Sequence, residues 1–126
     1  ERYLELARRA AADGRRVVVS FGEADAAERQ RFAAAADAPW TVVEGRRLPE
    51  LAALLEHAGS YVGNDSGITH LAAALGVPTV AIFGPSDPAL WAPRGERVAV
   101  LHPELLADLP VEAVKRELQS LSGRVP

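Results

Sequence analysis

One run carries the side chains of this chain best suited to chemistry, Tyr61-Val-Gly-Asn-Asp-Ser-Gly-Ile-Thr-His-Leu-Ala-Ala-Ala-Leu-Gly76. It reads as a short strand, a tight polar turn and a helix that begins inside the turn. Asp65, Ser66 and Thr69 crowd that turn, Gly63 and Gly67 loosen it, and Asn64 beside it is a further possible ligand contact. The first N–H groups of a helix lack intrahelical partners, and the helix dipole makes that end partly positive. A strand that ends in such a turn is an anion site, above all for phosphate. The backbone N–H groups of Ser66 and Gly67, with the Ser66 hydroxyl, are the donors that would hold a pyrophosphate. Asp65 would repel a bare phosphate, so its part would be to orient the loop or to meet a hydroxyl or amine. The same residue types also describe a plain helix cap by Asp65 or Ser66. Pattern alone leaves both open.

His70 falls on the first turn of that helix. Its imidazole could donate to a phosphate oxygen or a sugar hydroxyl, or it could simply pack against the neighbouring loop. Two other polar loops follow strand patterns. In Gly84-Pro-Ser-Asp-Pro88, Ser86 and Asp87 could stand beside a ligand or belong to a rigid turn. In Gly22–Asp25, Asp25 could reach a ribose, although Asp25 followed three residues later by Glu28 reads more readily as a capping box. His57 and His102 read as surface or packing residues. Three histidines this far apart have no metal-ligand spacing, and no metal site is expected. No G-x-G-x-x-G or G-x-x-x-x-G-K-[ST] loop occurs, so the common dinucleotide and ATPase fingerprints are missing.

Around these loops, helices and strands alternate regularly. Residues 1–12 read as a helix stopped by Gly14. Arg16–Phe21 reads as a buried strand, then a helix runs to about Ala36, where Asp37-Ala-Pro39 breaks it. Trp40–Val43 is the next strand, and Leu48, Leu51, Leu54, Leu55 and Ala58 line a helix closed by Gly59. Strand Ser60–Gly63 leads into the polar turn and a helix to Leu75, with Gly76 as its stop. Pro78–Phe83 is a further buried strand, residues 89–96 look irregular, Val98–Leu101 is a short strand, and Val111, Val114, Leu118 and Leu121 mark a closing helix. Alternating strands and helices predict an α/β fold, a Rossmann-like doubly wound parallel sheet covered on both faces. Such sheets bind ligands at the carboxyl ends of their strands, where all three polar loops fall.

The whole chain is 126 residues, room for one domain with a real core. A 48% hydrophobic share with 25% charge suits a globular chain. The net charge of −3, with arginines scattered, gives no reason to expect nucleic acid. There is no cysteine, which excludes disulfides and thiolate chemistry and fits a reducing compartment. No apolar run approaches the ~20 residues of a membrane helix. The chain opens on Glu1 inside a helical pattern, without Met, and is expected to be a piece of something longer.

From Tyr61 through Gly84-Pro-Ser-Asp-Pro88 the sequence closely resembles glycosyltransferase family 9, the lipopolysaccharide heptosyltransferases. The pattern D-[TS]-G-x-x-H-L-A-A-A-L, then a strand and F-G-P-[TS]-D-P, occurs here at the family's spacing, and the similarity extends over nearly the whole chain. The resemblance implies a GT-B enzyme of two Rossmann-like halves, with residues 1–126 forming most of the C-terminal, donor-binding half. It implies inverting transfer of heptose from ADP-heptose, or a related nucleotide sugar, to the lipopolysaccharide core, without a cofactor or essential metal. It implies work in the cytoplasm at the inner-membrane face. Asp65, Ser66, Gly67 and His70 match donor-contacting positions, Ser66 and Gly67 those that meet the pyrophosphate.

Two departures follow. The family's ribose-holding acid aligns without gaps on Ala26, with Asp25 adjacent and Glu28 close. The family's donor-contacting Thr/Lys strand would precede Glu1, and its proposed catalytic base lies in an N-terminal acceptor domain outside this chain. That strand is the central one in the order 3-2-1-4-5-6, so its neighbours are expected to offer open edges for strand complementation or self-association. The enzyme is expected to be the full-length parent, and the chain by itself to bind nucleotide and turn nothing over. The alternatives are a non-catalytic nucleotide- or sugar-phosphate-binding module, or a structural fragment without activity.

Overall fold

The structure is a computed structural model, and it describes residues 2–22, 25–35, 39–64, 66–84, 87–93, 95–103 and 109–122. In chain order the elements are α1 (Arg2–Ala12), β1 (Val17–Phe21), α2 (Ala26–Ala33), β2 (Trp40–Glu44), α3 (Leu48–Glu56), β3 (Tyr61–Asn64), α4 (Gly67–Ala74), β4 (Thr79–Ile82), α5 (Pro88–Trp91), β5 (Val98–Leu101) and α6 (Val111–Ser122). The strands pair in parallel as two sheets, β1-β2 and β3-β4-β5. The neighbours within each sheet are those expected of a parallel, doubly wound order. Two compact units contain them, Glu1–Arg47 and Leu48–Pro126.

In the first unit, β1 and β2 run in register from Val17 opposite Trp40 to Phe21 opposite Glu44. Phe32, on α2, is nearly fully buried. Its ring meets Phe21 and Trp40 edge-on, with centroids 5.5 and 5.4 Å apart, a favoured aromatic geometry. The buried strand expected at Arg16–Phe21 is only half covered: its residues alternate inward and outward, and Val18 is 42% exposed. A β-branched run states strand propensity but not which faces are covered.

The second unit holds the main core. All four residues of β4 are buried, so both faces of this strand are covered. α4 packs on β3 and β4, and α6 on β4 and β5. Leu55, Ala72 and Val77 form a buried cluster with Ala58, Tyr61, Ile68 and Leu71 packed against it. α4 ends as the sequence predicts. The Gly76 N–H donates to the Ala73 carbonyl, the Val77 N–H to that of Ala72, and Gly76 has φ 79°. This is the paired-bond helix stop that favours glycine. Gly14 closes α1 with the same two bonds, to Ala11 and, from Arg15, to Ala10. Gly59 does not act this way. α3 stops earlier, through tight bonds from His57 to Leu54 and from Ala58 to Leu55. The stretch expected to be irregular contains α5, a single turn opened by Asp87, whose carboxylate accepts from the Ala89 N–H. The expected break at residues 37–38 lies outside the described residues. No helix among the described residues is long and apolar enough to cross a membrane.

Candidate functional site

The polar turn between β3 and α4 is built on Thr69. This side chain is fully buried, one turn into α4. Its hydroxyl donates to the Asn64 carbonyl at 2.6 Å, lies 3.2 Å from the Ser66 hydroxyl, and is 3.3 Å from the Tyr61 hydroxyl. The last residue of β3 and the cap residue of α4 are thereby tied to one buried oxygen. Tyr61 reaches it by lying along its strand over Gly63. A Cβ on Gly63 would collide with the Tyr61 hydroxyl and come within 2.7 Å of ring atoms Cε1 and Cζ.

Gly63→Ala is therefore expected to displace Tyr61 and to cost about 1–3 kcal/mol of stability, as overpacking does. Denaturant unfolding measures it. In a Tyr61→Ala background the same substitution should cost far less; an equal cost there would mean that the ring is not the obstacle.

Ser66 is the N-cap of α4, extended at φ −155° and ψ 164°, and its side chain makes no cap hydrogen bond. Pattern alone left open whether Ser66 merely caps the helix, and its hydroxyl is turned to Thr69 instead. The first N–H groups of α4 thus receive no bond from the Ser66 side chain. Ser66 and Gly67 are exposed. His70 is exposed on the same first turn, its N–H donating to the Ser66 carbonyl at 3.3 Å, and no described residue bonds its imidazole. Asn64 closes β3 opposite Ile82. Asp65 and Ser86 lie outside the described residues.

The second loop of this unit stands at the neighbouring strand end. Gly84 follows β4, and its carbonyl is bonded by His102 Nε2 at 3.0 Å from the end of β5. His102 is thus a loop tether, a role invisible to a reading of local pattern because its partner is 18 residues away. One carboxylate oxygen of Asp87 is occupied by capping α5.

In the other unit, the Asp25 carboxylate accepts from the Gly22 N–H at 2.7 Å and makes no cap bond to α2. Glu28 pairs with Arg31 at 2.6 Å. The capping box predicted from Asp25 and Glu28 does not form: the carboxylate closes the strand-end loop behind it instead. Among the described residues no group of three or more His, Asp or Glu is placed to hold a metal ion.

Parallel strands alternating with helices, and a polar turn where β3 gives way to α4, define the Rossmann-like half of a GT-B glycosyltransferase fold. The family model of glycosyltransferase family 9 (heptosyltransferase) matches residues 1–118, and the chain belongs to that family. It is 32% identical over 123 residues to lipopolysaccharide heptosyltransferase 1 of Escherichia coli (strain K12), covering 96% of this chain and 39% of the relative. It is 41% identical over 61 residues to lipopolysaccharide heptosyltransferase 3 of the same strain, covering 48% of this chain and 18% of the relative. Among solved structures it superposes with a TM-score of 0.83 on the E. coli heptosyltransferase WaaC with ADP, at 30% identity, over 95% of this chain and 38% of that one. The same score relates it in fold to a family 9 glycosyl transferase from Veillonella parvula, at 23% identity, over 98% of this chain and 41% of the other. The chain thus spans about two fifths or less of the length of these relatives.

Proposed function

We propose that this chain is the donor-binding part of an inverting glycosyltransferase that moves heptose from ADP-heptose to the lipopolysaccharide core at the cytoplasmic face of the inner membrane. The diphosphate would sit at the turn between β3 and α4, on the backbone N–H groups of Ser66 and Gly67, with His70 beside the phosphate or sugar and Asp65 orienting the loop. Asn64 and Asp87 are candidates for further donor contacts in this unit; Gly22 and Asp25, in the first unit, are assigned by the same reading as candidate nucleotide contacts. The observation that carries this is the start of α4: an exposed N-cap serine, in a family whose members are heptosyltransferases, whose hydroxyl is not spent on capping the helix. The relative of similar fold that was solved with ADP supports the choice of nucleotide.

The share of the chemistry assigned to this turn is leaving-group stabilisation. N–H groups and the helix dipole would offset charge that develops on the ADP β-phosphate as the glycosidic bond breaks. One helix end contributes only ~0.3–2 kcal/mol, far less than a transferase needs, so the rest of the catalytic machinery is assigned elsewhere. No cofactor enters this scheme. Calorimetric titration with ADP tests it: saturable binding with one site per chain is expected. Heat flat up to millimolar ADP, from a chain that unfolds cooperatively, would overturn it. Turnover of ADP-heptose by the full-length parent separates a transferase from a module that only binds nucleotide.

A further inference from the structure

We infer that Thr69 is a positioning residue, which keeps the Ser66 hydroxyl off the helix start and so leaves the α4 N–H groups available to an anion. The inference rests on the donor-binding proposal above. Thr69 has a single hydroxyl proton, and the carbonyl of Asn64, which can only accept, takes it at 2.6 Å. In the 3.2 Å contact between Ser66 Oγ and Thr69 Oγ1, the serine is therefore the donor. Its proton points inward, and it makes no bond to a first-turn N–H.

The competing arrangement is close at hand. A serine N-cap ordinarily accepts from the backbone N–H two or three residues on, and three residues on is Thr69 itself. Ser66 thus has two partners on one residue, the side-chain oxygen and the main-chain N–H, and the buried side chain takes it. Without the Thr69 hydroxyl, Ser66 falls back to an ordinary cap, which takes the Thr69 N–H and lays the serine oxygen's lone pairs against the first turn, beside the Ser66 and Gly67 N–H groups that the diphosphate would use.

The test combines ADP titration with amide hydrogen exchange at residue 69. Thr69→Val keeps the shape and removes the hydroxyl. ADP is expected to bind on the order of fivefold more weakly, the scale set by one cap bond, and exchange of the residue 69 N–H should slow. Adding Ser66→Ala to Thr69→Val removes the competing oxygen. It should restore most of the lost affinity and reverse the slowing, whereas Ser66→Ala in the wild-type chain should bring no gain. Thr69→Ser, which keeps the hydroxyl but loses a buried methyl, should melt earlier with an unchanged Kd for ADP. Thr69→Ala takes the place of Thr69→Val if the latter does not fold.

A purely structural Thr69 would lose affinity and stability together in every variant and show no rescue by Ser66→Ala; that result overturns the inference. If the wild-type chain fails to bind ADP while the exchange rates shift as expected, the donor-binding proposal falls and the hydroxyl arrangement stands. If ADP binds but neither rescue nor slowed exchange is seen, the inference alone falls.

Discussion

Phe83→Ala is expected to lower the unfolding free energy by about 3–5 kcal/mol, the usual cost of removing a large buried ring. Phe83 has no exposed surface, and follows directly on β4. Its N–H donates to the Leu101 carbonyl at 2.8 Å, extending the β4–β5 ladder one step. Behind it, Val80 and Ala81 are also fully buried. The side chain thus fills close-packed space that its neighbours cannot collapse to fill, and a cavity penalty adds to the lost transfer energy. Small domains have only ~5–15 kcal/mol in total, so this single change should remove a large part of it. Urea unfolding reads it as a lowered midpoint at similar slope. Val100→Ala is the comparison: Val100 is 39% exposed on β5, and its loss should cost below ~1 kcal/mol. Equal effects from the two would mean that the end of β4 is not a packed core.

The sequence exposes this core plainly, because the run Pro78–Phe83 is apolar but for Thr79 and bounded by turn formers. A strand buried on both faces leaves that mark, and β5 emerges with its predicted bounds, Val98–Leu101. Helix ends were readable where the chemistry is backbone chemistry. Gly14 and Gly76 take positive φ at helix stops, which only the absence of a Cβ makes easy. Side-chain caps were not readable in the same way. Asp25 and Glu28 carry the composition of a capping box, yet one carboxylate bonds Gly22 and the other Arg31. Residue type says which bonds a side chain can make, and rotamer and packing choose among them. The single turn of α5 escaped for a different reason, since four residues are too few for a period to emerge.

The site divides along the same line. The strand and the helix on either side of the polar turn, between Tyr61 and Gly76, are as the residues predict, and the exposure of Ser66, Gly67 and His70 is what the structure adds. That Thr69 is the buried hub of the turn is not. Threonine in a polar turn reads as one more surface hydroxyl, and only the packed structure shows it without exposure and with three oxygens around it. The clearance that Gly63 gives Tyr61 is likewise a tertiary fact: the sequence marks a glycine in a strand and not what passes over it. His102 tethers Gly84 across 18 residues, beyond the reach of any local motif.

Ser66→Glu is expected to abolish ADP binding in the concentration range where the wild-type chain saturates, while leaving the fold at least as stable to within ~1 kcal/mol. The two effects separate because one carboxylate meets two different charges. Residue 66 is exposed and extended, a conformation glutamate adopts without strain. A negative charge at a helix N-terminus is favourable by ~0.3–1 kcal/mol, which roughly offsets the lost bond to Thr69, worth ~0.5–1.5 kcal/mol. A diphosphate at the same N–H groups meets that charge as a repulsion. At ~5 Å and an effective dielectric of ~20, each pair of unit charges costs about 3 kcal/mol, so one pair already weakens binding by a factor of ~100. Part of this loss should return at high salt, because the site is open to screening. The decisive pair of measurements is a melting curve and an ADP titration of the same preparation. A stable Ser66→Glu chain that binds ADP as tightly as the wild type would place the diphosphate away from α4. A chain that loses both folding and binding would show that the Ser66–Thr69 contact matters more to the fold than its 3.2 Å length and the exposed serine suggest.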